Sequence, residues 1–153
     1  FTANSKCYPD LLGKIAPNTE VISHGCPDLA NLVERYVGKP EAQEIIDNDL
    51  KLNLDPLVNE QGINDIVLGC THYPLVTENI KRLYPDLNLI DPATQMAYFL
   101  KSYLERNELA NDTPDGGKLD IYTTSDVEEY TMKAKKVGLN PIHSVQYLPP
   151  MKL

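Results

Sequence analysis

Residues 66–75 read Ile-Val-Leu-Gly-Cys-Thr-His-Tyr-Pro-Leu, so a thiol, a hydroxyl and an imidazole follow directly on an apolar run. Cys70 is the first reactive side chain beyond that run, Thr71 offers a hydroxyl and His72 a titratable ring. Gly69 is placed to let the backbone turn tightly, and Pro74 suits the first turn of a helix. Amides at a helix start attract anions, carboxylates among them. They also favour a nearby thiolate over its thiol, whose ordinary pKa is about 8.5. A thiolate, an imidazole and a carboxylate-binding helix end are together suited to removing a proton next to a carboxylate. The bland alternative is a cysteine that only packs, beside a histidine that caps locally, since most free cysteines are structural. Polar residues clustered at a strand end favour the chemical reading.

The elements that must hold this cluster follow from apolar periodicity. Ile66-Val67-Leu68 is short, β-rich and uniformly apolar, as a buried parallel strand should be. Pro74 then opens a helix carrying Val76, Ile80 and Leu83. Upstream, the pattern predicts a short helix within 5–15, a strand over 20–24, a helix with Leu29, Leu32, Val33 and Tyr36 on one face, and another from Ala42 to Leu57. Downstream it predicts a strand over 87–90 and a helix over 92–104. A linker at 111–117 precedes a strand over 119–123, a helix over 126–137 and a last strand over 142–145. This order implies a layered α/β fold with a largely parallel sheet flanked by helices. In open sheets of that kind, ligands collect beyond the carboxyl ends of the strands, where Cys70 and His72 fall.

Composition narrows the function by exclusion. The chain has 153 residues, 42% of them hydrophobic, which suits a folded domain with a real core. Lys+Arg of 14 against Asp+Glu of 22 gives a net charge of −8, which argues against a nucleic-acid partner. No apolar run approaches the roughly 20 residues of a membrane span. Three cysteines at irregular spacing form no disulfide framework, and a reducing compartment follows. Phe1, standing where an initiator Met would, points to a processed, tagged or incomplete polypeptide. The lack of a strand before the first helix adds the expectation of a chain that begins mid-domain.

Gly-Cys-Thr-His-Tyr-Pro-Leu, residues 69–75, strongly resembles the second-cysteine motif of glutamate racemase, in the aspartate/glutamate racemase superfamily. Residues 21–34, 89–97, 120–130 and 1–8 resemble further stretches of that family in the right order. The resemblance implies cofactor-independent interconversion of L- and D-glutamate by two thiols on opposite faces of the substrate. A planar carbanion cannot be reprotonated with inversion from one side. By this likeness Cys70 matches the cysteine that takes the proton from L-glutamate, and His72 the histidine assisting it. Glu34 matches an acidic residue that polarises the substrate ammonium or tunes the site. Thr71 matches a substrate-contacting residue, and Thr2 a pocket threonine.

The family's other cysteine lies in a Cys-Asn-Thr motif preceded by an Asp-Ser motif, and neither occurs in the chain. Cys7 and Cys26 do not stand in for it. The resemblance therefore implies the C-terminal portion of a two-domain fold: 1–91 from the second domain, 92–153 returning to complete the first. It further implies an isolated piece without turnover, no metal or other cofactor, a homodimer when full length, and a cytoplasmic role in supplying D-glutamate for peptidoglycan. Three rivals make distinct predictions. Zinc would bind through His24, Cys26, Cys70 and His72, although a one-residue spacing within each pair is tight. A related superfamily enzyme such as aspartate racemase would change the substrate. A non-catalytic α/β ligand-binding domain would have no turnover to lose. His24 and His143 otherwise read as structural, and the acids at 126–129 as a helix start.

Overall fold

The structure, a computed structural model, describes residues 2–111 and 116–150, with Thr2 described in its backbone alone. A 3-10 turn, Thr2–Ser5, leads into α1 (Cys7–Ile15). Next come α2 (Leu29–Tyr36) and α3 (Ala42–Asp55), the latter running on into a π turn, Pro56–Glu60. β1 (Asp65–Val67), a 3-10 turn (Tyr73–Val76), α4 (Thr77–Leu83) and β2 (Asn88–Ile90) follow. The remainder is α5 (Pro92–Arg106), β3 (Asp120–Thr123), α6 (Val127–Lys136) and β4 (Ser144–Tyr147).

The strands pair in parallel, as two separate two-stranded sheets, β1 with β2 and β3 with β4. The expected α/β class with parallel pairing holds; one continuous sheet is not present among the described residues. The predicted strand over 20–24 is not formed, and that stretch runs as irregular chain. With neither β1 nor β2 pairing to it, β-propensity alone does not make a strand. The final strand lies two residues later than predicted, at Ser144–Tyr147. Part of the linker over 111–117 falls outside the described residues.

One core cluster holds the first part of the chain together. Leu29 and Val33 of α2, Ile46, Leu50 and Leu54 of α3, Leu68, Val76, Ile80 and Leu87 are all buried in it. Each such aliphatic side chain contributes roughly 1.5–3 kcal/mol by leaving water. Asp47 is the polar anchor of α3, accepting hydrogen bonds from Asn79 (2.9 Å) and from Arg82. Burial pushes its carboxyl up, and the bonds from Arg82 and Asn79 outweigh this, holding it below the usual carboxylate range.

The strand Ile66-Val67-Leu68 is not buried on both faces as expected. Leu68 is buried, but Val67 is 51% exposed and Ile90, its partner across the sheet, 42%. The helices of this chain cover only one side of the pair. Helices α1 and α5 bury no residue at all. Along α5, Met96, Tyr98, Phe99 and Leu100 stand exposed, an apolar face unlike that of a helix meant for water.

Candidate active site

Backbone hydrogen bonding places Cys70 just past the carboxyl end of β1. The Leu68 amide donates to the Ile90 carbonyl at 2.9 Å, so the pairing continues one residue beyond the strand. The chain then turns, with the Tyr73 amide donating to the Cys70 carbonyl and that of Leu75 to His72, both at 3.1 Å. Pro74 opens a four-residue 3-10 turn, and α4 starts only at Thr77. The anion-attracting helix start expected there is thus a single tight turn, too short for aligned peptide dipoles to sum. Gly69 is not at positive φ, and a Cβ on it would meet nothing nearer than the Tyr8 hydroxyl at 4.0 Å. Its proposed role in a tight turn is not needed.

Val76 anchors this turn in the same core that holds Leu29 and Val33, so α2 lies directly against it. Glu34, next to Val33 on the outer side of α2, is thereby brought to His72. The two side chains meet at 2.9 Å, His72 Nε2 to Glu34 Oε1. The other ring nitrogen of His72, Nδ1, lies 3.7 Å from Cys70 Sγ. A proton on Nε2, donated to the carboxylate, leaves the Nδ1 lone pair facing the thiol. This is the arrangement in which an imidazole accepts a thiol proton while a carboxylate steadies the charge it acquires.

The second carboxylate oxygen of Glu34 accepts from Lys133 Nζ of α6 at 3.2 Å. Hydrogen bonds from Lys133 and His72 hold the Glu34 carboxyl below its usual range. Glu129, one helical turn before Lys133, makes a further ion pair with it at 2.9 Å. Hydrogen bonds to Glu129 and Glu34 push the Lys133 ammonium up, so it stays charged.

Tyr73 and Cys26 border the thiol. The Tyr73 hydroxyl donates to the Cys26 carbonyl at 3.4 Å, tying the segment before α2 to the turn after β1. Burial pushes the Tyr73 hydroxyl up to about 12, so it is a neutral donor at any working pH. Burial also pushes the Cys26 thiol up, which disfavours its thiolate.

Cys70, His72 and Glu34, three residues singled out from sequence, are therefore joined in one chain of contacts. Thr71 lies beside them, exposed. Thr2 cannot be assessed, because its side chain lies outside the described residues. His24 turns to Asn53 at 3.4 Å instead of joining the thiols. Among the described residues, no three of His, Cys, Asp and Glu are grouped to hold a metal ion. His143 pairs with Asp120 at 2.8 Å, far along the chain from the site.

Comparison with known proteins bears on this geometry. Glutamate racemase of Carboxydothermus hydrogenoformans is 36% identical over 126 residues, 82% of this chain and 45% of that protein. The crystal structure of a Bacillus anthracis glutamate racemase isoform matches at TM-score 0.83 and 31% identity, over 99% of this chain and 55% of its own. The chain belongs to the glutamate racemase family. A Francisella tularensis glutamate racemase, solved in complex with D-glutamate, matches at TM-score 0.81 and 28% identity over 96% of this chain and 54% of its own. No family model matches. The chain spans about half the length of the curated glutamate racemases it matches.

Sequence reasoning missed Lys133. It lies 99 positions from Glu34, and its one local signal was the i,i+4 pairing with Glu129 expected of any exposed helix. Tyr73 entered only as part of the Gly-Cys-Thr-His-Tyr-Pro-Leu motif, with no role of its own.

Proposed function

We propose that these residues form one face of a glutamate racemase site, with Cys70 as the acid–base group for L-glutamate. The observation that carries this reading is the contact chain from Cys70 Sγ through His72 to Glu34 at 3.7 and 2.9 Å. The Cys70 thiolate takes the Cα proton of L-glutamate, and the electron pair left behind delocalises into the substrate carboxylate. A second thiol, from the part of the enzyme outside this chain, delivers a proton to the opposite face and gives D-glutamate. In the reverse direction the two thiols exchange roles. His72 accepts the thiol proton of Cys70 and returns it, with Glu34 stabilising the imidazolium. Both Glu34 oxygens are engaged within the protein, which favours a tuning role over direct binding of the substrate ammonium. Thr71, exposed next to Cys70, and Thr2 are assigned to substrate binding on the motif likeness.

Residues 1–91 belong to the second domain, and 92–153 return to complete the first. The exposed apolar face of α5 and the open side of β1 and β2 support this division. The intact enzyme works in the cytoplasm as a homodimer that supplies D-glutamate for the cell wall. The intact protein carrying this chain should interconvert the glutamate enantiomers, and Cys70→Ser should abolish this while leaving the fold unchanged. A non-catalytic binding domain would instead keep its glutamate affinity in Cys70→Ser and show no turnover in either form.

A further inference from the structure

We propose that Lys133 is a positioning residue for this site: it fixes the Glu34 carboxylate so that α6 controls how His72 presents Nδ1 to Cys70. The inference rests on the site reading above and goes beyond it, adding a residue that no motif marks.

The geometry is specific. Glu34 divides its two oxygens, Oε1 to His72 Nε2 at 2.9 Å and Oε2 to Lys133 Nζ at 3.2 Å. A carboxylate gripped at one oxygen by an ammonium cannot swing about its last torsion without breaking that contact. The plane of the acceptor facing His72 is thus set from α6. Glu34 is 45% exposed, so without a second grip its side chain would be free to turn to water. Lys133 is itself held by Glu129 at 2.9 Å within α6. Lys136 of α6 also passes close to the chain two residues beyond α2, where its Cε would lie 3.2 Å from a Cβ on Gly38. Gly38 sits at φ +80°, just past the end of α2, so it offers a backbone position without a side chain for Lys136 to pass. An exposed ion pair of this kind contributes little to stability. Its consequence lies in orientation, because the tautomer of a histidine is set by what its far nitrogen donates to.

The test is a two-bond proton–nitrogen correlation spectrum of the imidazole rings in the nitrogen-15-labelled chain. The chain has three histidines, so His24 and His143 report whether the fold is unchanged. In the parent, His72 should show one tautomer, with the proton on Nε2. In Lys133→Met its two nitrogen shifts should move toward one another, as the tautomers average, and Lys133→Arg should restore the parental pattern. In a Glu34→Gln background, Lys133→Met should change nothing further, because its effect runs through Glu34. A His72 pattern in Lys133→Met identical to the parent, with Glu34→Gln altered, would overturn the role of Lys133 and leave the His72–Glu34 link standing. Equal averaging in Lys133→Arg and Lys133→Met would overturn it too. No change in Glu34→Gln either would instead sink the site reading on which it rests.

Discussion

His72 and Glu34 meet at 2.9 Å across 38 positions of sequence, one on the turn after β1 and the other on the outer side of α2. Neither side chain is buried, so the contact is not forced by exclusion from water. It follows from the core beneath it: Val76 under the turn and Val33 under Glu34 lie in one cluster, and their neighbours must face each other above it. The apolar pattern thus fixes where the polar residues meet.

Reactivity of Cys70 should depend on His72. Alkylation by iodoacetamide at neutral pH, read for each cysteine by peptide mass spectrometry, should slow several-fold at Cys70 in His72→Ala. Cys7, exposed and on α1, is the internal reference and should be unaffected. Equal rates at Cys70 in the parent and the variant would contradict the assisting role.

Asp47 should give the fold an acid-sensitive component. Its folded pKa is depressed, so its contribution is present above the ordinary carboxylate range and is lost as pH falls through the folded value. Asp47→Asn should cost roughly 1–3 kcal/mol in urea unfolding at pH 7. The parent and the variant should converge in acid below the ordinary Asp pKa of about 3.9. A gap that stays constant with pH would mean that the Arg82 contact does not carry the effect.

Packing should divide the chain into a tightly held part and an uncovered part. Leu50, 1% exposed on α3, should cost about 2–5 kcal/mol when cut to alanine. Phe99, 65% exposed on α5, should change the chain's stability by no more than about 0.5 kcal/mol in Phe99→Ala. Urea midpoints of the two variants check this directly, and equal losses would contradict the division.

Much of this was legible in the residues themselves. The i, i+4 apolar spacing of Leu29 and Val33 and of Ile46 and Leu50 marks the helix faces that are buried. Cys70 and His72 announce themselves by type and by their place after an apolar run. The stretch 20–24 misled because strand-forming residues do not pair without a neighbouring strand. The exposure of Val67 was invisible for a related reason: an apolar run does not tell which of its faces the same chain covers. Lys133 could not be read at all, since its partnership with Glu34 depends on where α6 is seated, and no local pattern carries that.

The central claim is that Cys70 is the base for one face of glutamate. It is tested most directly by exchange of the Cα proton in D₂O, followed by NMR with L- and D-glutamate offered separately. The material is the intact protein carrying this chain and its Cys70→Ser variant. The account predicts exchange with both enantiomers in the parent. From L-glutamate it predicts a loss of at least about 10²-fold in Cys70→Ser, the scale of a positioned acid–base group. Exchange from L-glutamate at the parental rate in a folded Cys70→Ser protein would contradict it.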